Sequence, residues 1–295
     1  MIISPTIISL REGIEAALII AIMLSYLRKT NQMDLRKFVV RGTIFAILTS
    51  LGVAIVVGVL WGIFEGPFLN VFEGSVVLIA AMLLTTMIVW MWNAGARITQ
   101  EIEESMERSV IKQSGLGLAL LSFSLVLREG VELSLFSMAL VIQEGVQSYI
   151  GIALGLLLAV VLGLGLYKGS LRISLKVLFK WTSIFLILFA AGMIAYGIHE
   201  LQEAGLLLIG PLEIWNINPP LLPGGEYPLL HENGLIGGMA KALFGYNGNP
   251  SAIEVVAYLA YLGIAFTYLW RKQKRMGVVP AEKSNKTVLA KPSAQ

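Results

Sequence analysis

Long apolar runs divide the chain into segments that predict membrane-spanning helices. Each run approaches the roughly 20 residues that an α-helix needs to cross a bilayer. There are seven of them, near residues 3–27, 42–62, 71–92, 116–142, 149–167, 177–198 and 252–270. The chain is 56% hydrophobic and 14% charged, whereas soluble domains are about 25% charged. The pattern predicts an all-α integral membrane protein with seven transmembrane helices.

Basic residues collect on one predicted side of the membrane. They occupy the connections after the first, third and fifth spans and the C-terminal tail. Of the 22 Lys and Arg residues, only Arg11, Arg128 and Lys241 lie elsewhere. Because Lys and Arg favour the cytoplasmic side, we predict that the N-terminus is outside and the C-terminus is cytoplasmic. Residues 276–295 are polar and lack apolar periodicity, so they are predicted to form a disordered cytoplasmic tail.

A charged five-residue motif occurs twice inside the apolar runs. Residues 11–15 read Arg-Glu-Gly-Ile-Glu, and residues 128–132 read Arg-Glu-Gly-Val-Glu. An ionisable side chain at bilayer depth costs roughly 2.5–3.5 kcal/mol on insertion scales. The charges of the two motifs are therefore expected to pair with one another and to serve a function.

The positions of the two motifs predict an inverted repeat. They lie on the first and fourth spans, which run in opposite directions, as in transporters with a 3+3 inverted-topology repeat and a midplane site. Residues 1–275 are predicted to form one seven-span domain. Its parts are repeat one (about 3–92), repeat two (about 116–198), an extracytoplasmic loop (199–251) and span seven (252–270), which is additional to the repeat.

Helical spacing places both glutamates of each motif on one face. Glu12 and Glu15 are related as i and i+3, and so are Glu129 and Glu132, which puts their Cβ atoms about 5–6 Å apart. Packing the two helices together would bring four carboxylates around one point. Several carboxylate oxygens suit a hard, multivalent cation, so these four glutamates are the predicted metal ligands.

The arginine and the glycine of each motif are predicted to support this site. Arg11 and Arg128 precede the second glutamate of their motif by four residues and can offset carboxylate repulsion. Gly13 and Gly130 allow a second backbone to approach, as small residues do between membrane helices. Two other interpretations remain open: buried Arg–Glu pairs that only fix helix packing, and a proton relay without a metal.

The two motifs, on the first and fourth of seven spans, resemble those of the high-affinity iron permeases, also called oxidase-dependent iron transporters. The resemblance covers about residues 1–270. It includes residues 199–205 (His-Glu-Leu-Gln-Glu-Ala-Gly) and residues 245–250 (Gly-Tyr-Asn-Gly-Asn-Pro). It implies that both motifs are required for iron transport and that Glu12, Glu15, Glu129 and Glu132 bind the iron. The residue types and their spacing alone indicate only a hard cation.

The resemblance also implies partners and a location. The chain lacks the large extracytoplasmic domain of some bacterial relatives and looks like the compact form, which works in the cytoplasmic (inner) membrane with separate periplasmic iron-binding or oxidase/peroxidase proteins. Iron is then the transported substrate, and no cofactor is expected to be permanently bound. The lipid bilayer is an expected partner, and nucleic acid is not.

Two further groups of residues are secondary candidates for handling the ion. His199, Glu200 and Glu203 follow span six and form a candidate entry site, although an ordinary polar helix end explains them equally well. Glu101, Glu104 and Glu107 recur every three residues on the predicted cytoplasmic side. They form a candidate exit site or, alternatively, one face of a solvated helical connector.

The composition and the absence of known catalytic motifs exclude several function classes. The chain has no Cys and only two His residues, which excludes thiolate and His-rich metal sites. It contains no nucleophile–base set and no nucleotide-binding motif, so it is not predicted to be an enzyme. The alternatives that remain are a permease for another divalent cation, such as Mn²⁺ or Pb²⁺, and a membrane anchor for a periplasmic iron-handling complex.

Overall fold

The computed structural model describes residues 2–94, 98–111, 114–167, 175–222 and 224–276. Within these ranges every regular element is helical. The α-helices are α1 (Ile3–Lys29), α2 (Arg36–Ile63), α3 (Pro67–Ala94), α4 (Ile98–Ile111), α5 (Gly115–Glu144), α6 (Ser148–Tyr167), α7 (Leu175–Glu203), α8 (Leu235–Phe244) and α9 (Ala252–Met276), and a short 3₁₀ helix (Met33–Leu35) precedes α2. The predicted tail beyond Met276 lies outside the described residues.

Each of the seven apolar runs lies within one long helix. Among the described residues, five helical segments are long and apolar enough to cross a membrane: Met33–Ile63, Pro67–Met91, Ser148–Gly165, Thr182–Glu203 and Ala252–Lys272. The remaining long helices, α1 and α5, carry the charged motifs. The all-helical membrane architecture is therefore confirmed, whereas the count of seven spans and their orientation stay predictions.

Local sequence explains where several of these helices begin and end. Gly66 adopts a φ of 59°, which separates α2 from α3, and Pro67 occupies the first position of α3, where its missing N–H costs nothing. Gly145, at a φ of 82°, follows the last residue of α5. At the other end of α5, the Gly117 N–H donates to the Ser114 side chain at 3.0 Å. These turns place long helices side by side.

The helices pack in pairs around a central crossing of α1 and α5. The α1 helix packs along α6, α2 along α5, and α3 along α7, while α9 packs on α7. Ile8, which precedes the α1 motif, shares a buried cluster with Phe136, which follows the α5 motif. Ile19, which follows the α1 motif, shares a second cluster with Val126, which precedes the α5 motif. The motif-bearing helices therefore run antiparallel.

The α2–α5 and α1–α6 pairs approach each other closely at matching positions. At one level, Gly42 of α2 faces the carbonyl of Ala119, and Gly151 of α6 faces the carbonyl of Ile2. At the level of the motifs, Gly130 faces Ser50 of α2 and Gly13 faces Ala159 of α6. The same spacing separates Gly42 from Ser50 as separates Gly151 from Ala159. The two pairs therefore have the same packing register.

We expect Gly42→Val to destabilise the fold, because the space for a Cβ at this position is already occupied by α5. Overpacking of this kind costs about 1–3 kcal/mol. Gly52→Val in the same helix is the matched control, since a Cβ there would meet nothing within 4 Å. Thermal unfolding of detergent-purified protein measures the difference. Equal unfolding temperatures for the two variants would contradict the α2–α5 contact.

Candidate metal-binding site

Three glutamates from the two motif helices meet in the interior. Glu12 of α1 and Glu129 and Glu132 of α5 each offer a carboxylate oxygen, and these oxygens lie within 4.8 Å of one another. The three residues are called the carboxylate trio below. Among the described residues, no other trio of His, Cys, Asp or Glu side chains approaches this closely. Glu12 and Glu129 are only 1% and 3% exposed, so the trio is shielded from bulk solvent.

The fourth predicted ligand, Glu15, is oriented differently. It is not part of the trio, and its Oε1 lies 3.2 Å from Nε of Arg11. The same guanidinium places Nη1 3.6 Å from Oε1 of Glu12 and donates through Nη2 to Sδ of Met91 at 2.9 Å. Arg11 is 3% exposed and is thus a buried cation held by α1 and α3.

The second motif arginine makes equivalent ion pairs in a more open setting. Nε of Arg128 lies 3.2 Å from Oε1 of Glu129 and 3.4 Å from Oε1 of Glu132. The guanidinium carbon stands 4.9 Å from the ring centroid of Trp90. The Arg128 side chain is 46% exposed, in contrast to the buried Arg11. The two motifs are therefore alike in sequence but unequal in environment.

Several buried carboxylate oxygens of the two motifs accept no hydrogen bond. They are Oε2 of Glu129, Oε2 of Glu132, both oxygens of Glu12 and Oε1 of Glu15. Of these, Oε1 of Glu12 and Oε1 of Glu15 lie in ion pairs with Arg11. A buried carboxylate oxygen without a partner is costly, and a bound cation would contact one such oxygen from each residue of the trio. Hard divalent and trivalent cations take carboxylate oxygens as ligands, so the trio fits such an ion.

A cavity of about 480 Å³ adjoins the trio on the side of α2 and α6. Glu12 and Glu129 contribute its charged groups, and small and aliphatic residues of α1, α2, α5 and α6 line the rest, among them Gly13, Gly130 and Ser134. The motif glycines thus face α2 and α6, where they allow close packing, and they also open space beside the carboxylates.

The candidate entry residues lie on the last turns of α7, which continues past the predicted end of span six. Nε2 of His199 lies 3.2 Å from Oε1 of Glu203, and its Nδ1 lies 3.0 Å from Oε1 of Glu254 on α9. Glu200 is 7% exposed and accepts a hydrogen bond from Tyr196. The imidazole thus links α7 to α9, and Glu200 has a different partner.

The candidate exit residues lie on α4, an amphipathic helix that packs against α1 and α5. Glu101, Glu104 and Glu107 are exposed, whereas Ile102 and Met106 are buried in the cluster that contains Ile19 and Val126. The predicted helical connector therefore exists, with an acidic outer face. Whether its acids handle the ion stays a prediction.

Three residues near these groups were not predicted from the sequence. Trp90 and Met91 contact the motif arginines, and nothing in the sequence near them signals that role. Glu254 had a signal, because it is a carboxylate inside the seventh apolar run. It accepts from Asn247 at 2.8 Å and from the Ser251 N–H at 3.1 Å, so it fastens the preceding loop to α9.

Comparison with known proteins agrees with this architecture. The sequence matches the iron permease FTR1 family over residues 2–278. Ferrous iron permease EfeU of Escherichia coli O6:K15:H31 (strain 536 / UPEC) is 34% identical over 261 residues, covering 88% of this chain and 91% of the relative. Ferrous iron permease EfeU of Yersinia pestis is 32% identical over 261 residues, covering 88% of this chain and 89% of the relative.

A third relative extends the similarity to an archaeon. A protein of Archaeoglobus fulgidus is 33% identical over 276 residues, covering 92% of this chain and 95% of the relative. No solved structure matches the chain. The family match spans both motif helices and all of the described helices. The chain therefore belongs to the iron permease FTR1 family.

Proposed function

We propose that this protein imports iron across the cytoplasmic membrane and that the transported ion binds at the carboxylate trio. The observation that carries this proposal is the set of buried oxygens without partners on Glu12, Glu129 and Glu132. Relatives named as ferrous iron permeases support Fe²⁺ as the first substrate to test. Glu15 becomes a fourth ligand if Arg11 releases it.

The trio is proposed to lie near the midplane of a seven-span inverted repeat. The spans are α1, α2, α3, α5, α6, α7 and α9, with the N-terminus outside and the C-terminus cytoplasmic. The antiparallel motif helices and the equal packing register of α2–α5 and α1–α6 support this arrangement. Access then alternates as the two halves rock about the trio.

Acidic residues at the two ends of the protein are proposed to deliver and receive the ion. On the outside, an arriving cation would bind His199 and Glu203 in place of their contact with each other. The Glu203 side chain is 55% exposed and therefore accessible. Glu200 would join only after leaving Tyr196. On the inside, Glu101, Glu104 and Glu107 face solvent and offer oxygens to the departing ion. A separate periplasmic iron-handling protein is the proposed donor.

Purified protein in liposomes tests the proposal directly. We expect uptake of radioactive Fe²⁺ into the vesicles without any partner protein and without a bound cofactor, and little uptake into empty vesicles. Fe³⁺, Mn²⁺ and Pb²⁺ are added as competitors in parallel. Stronger transport of Mn²⁺ or Pb²⁺ than of iron would favour a permease for another cation. Absence of any metal flux from folded protein would favour a membrane anchor.

A further inference from the structure

Two successive residues of α3 each contact one of the two motif arginines. Met91 accepts a hydrogen bond from Nη2 of Arg11 at 2.9 Å, and the Trp90 ring lies 4.9 Å from the guanidinium carbon of Arg128. The arginines come from different predicted repeats and are far apart in sequence, yet both guanidinium groups contact the same turn of a third helix. That turn belongs to neither motif.

Arg11 shows what the α3 contact contributes on the buried side. Its guanidinium is shared between Glu15, Glu12 and Met91. A guanidinium is planar and presents its donors in fixed directions, so the sulfur at Nη2 sets the rotation at which the remaining nitrogens reach the carboxylates. Met91 is 5% exposed, and its sulfur is held in place by the surrounding helices.

Arg128 shows the same principle on the open side. Half of its side chain is exposed, and its Nε alone makes the two ion pairs to Glu129 and Glu132. An arginine held only by such pairs keeps considerable rotamer freedom, because its side chain is long and flexible. The Trp90 ring restricts that freedom because a cation is attracted to the face of an aromatic ring, most strongly to that of tryptophan.

The contact between Trp90 and Arg128 affects which carboxylate oxygens are available to bind a cation. Arg128 occupies the Oε1 atoms of both Glu129 and Glu132, and the Oε2 atoms of both are left without partners. An arginine that rotated away from Trp90 would release Oε1 and let the carboxylates turn. The position of α3 therefore determines how the trio presents its oxygens.

The α3 helix is itself firmly placed. It packs along α7, and its residues Val77, Ala80, Ala81 and Leu84 are fully or almost fully buried in the cluster shared with α5 and α7. Movement of α3 relative to α5 would thus carry Trp90 and Met91 with it. This connects the packing between the repeats to the charges beside the metal site.

We propose that Trp90 and Met91 are positioning residues, which hold Arg128 and Arg11 against the carboxylates so that the free oxygens of the trio face the transported cation. This inference rests on the proposed function for its substrate, but not for the contacts themselves. Both residues act through the arginines and do not touch the ion. Plain core packing is the competing explanation.

Transport kinetics separate positioning from packing. Trp90→Leu is expected to raise the half-saturating iron concentration about three- to tenfold, with a maximal rate within about twofold of the wild type. Trp90→Phe should restore most of the affinity, because a phenyl face still attracts a cation. Met91→Leu conserves volume but removes the sulfur, so we expect a rise of about two- to threefold.

Matched controls come from residues without an arginine contact. Met193→Leu tests the same replacement at a site that is 1% exposed in the main buried cluster. Trp215→Leu removes a tryptophan from the loop before α8 that is 41% exposed. Both should keep the wild-type half-saturating concentration. The inference is overturned if Trp90→Leu also keeps it, or if Trp90→Phe and Trp90→Leu are equally impaired.

A second measurement does not depend on iron. Thermal unfolding of Trp90→Leu, Arg128→Met and the double variant forms a double-mutant cycle. If the side chains interact, the double variant loses less stability than the two single losses combined. Strictly additive losses would overturn the contact. Failure of the wild-type protein to transport iron would instead overturn the proposed function and leave this cycle interpretable.

Discussion

Glu129→Gln is expected to lower iron uptake at low iron concentration by tenfold or more, which corresponds to about 1.4 kcal/mol or more of lost binding. The change keeps the size of the side chain but removes an anionic oxygen that has no other partner. Glu12→Gln and Glu132→Gln should have effects of similar size, because the oxygens of all three lie within 4.8 Å of one another. Iron titrations of radioactive uptake, at matched protein levels, measure the half-saturating concentration for each variant.

Glu15→Gln provides the most informative comparison within the site. Its carboxylate lies outside the group of oxygens that approach within 4.8 Å of one another, so we expect a smaller increase in the half-saturating concentration than for the trio. Glu213→Gln, in the exposed loop before α8, is the control and should behave as the wild type. Wild-type affinity in Glu129→Gln and Glu132→Gln would show that the trio does not bind the ion. If Glu15→Gln raised the half-saturating concentration as much as the trio variants do, Glu15 would be a full ligand.

The sequence predicts the long helices of this protein well because the bilayer imposes their length. A run of about 20 apolar residues has few alternatives to a helix, and each of the seven runs is helical. The α8 helix is not predicted by this rule. It has ten residues and contains the adjacent glycines Gly237 and Gly238, which disfavour a helix in isolation. Its position depends on packing against α7.

The sequence predicts the composition of the candidate site but not its internal arrangement. The i,i+4 spacing places Glu15 beside Arg11 and Glu132 beside Arg128 with equal justification. Only the tertiary structure distinguishes them, because Arg11 is buried between α1 and α3 whereas Arg128 remains half exposed. The contact with Met91 joins residues 80 positions apart, and no local pattern reveals it.

Membership of the iron permease family makes the chain an integral membrane transporter, and its two motifs differ in how far each arginine is enclosed. In a symmetric pair, equivalent arginines would tolerate equivalent changes. Here one guanidinium is enclosed and the other is open. If the ion binds at the trio as proposed, we expect the open motif to rearrange more on binding and the enclosed motif to contribute more to stability.

Arg11→Met is therefore expected to be far more damaging than Arg128→Met. Removing the buried cation leaves Glu12 and Glu15 without their counter-charge, and breaking a buried ion pair in this way costs about 3–5 kcal/mol. Removing Arg128 breaks ion pairs that are less enclosed, so we expect a smaller loss of stability. Arg11→Lys should also impair uptake, because an ammonium cannot reach Glu12, Glu15 and Met91 in the plane that a guanidinium spans.

The yield and unfolding temperature of detergent-purified protein measure the structural part of this difference, and iron uptake per folded molecule measures the functional part. Arg271→Met, at an exposed position on α9, is the control for loss of a positive charge. We expect Arg11→Met to lose most of its folded protein, while Arg128→Met stays folded but transports poorly at low iron concentration. Equal loss of folded protein in both variants would mean that the two motifs are equivalent in structure. The open arginine would then have no special part in admitting the ion.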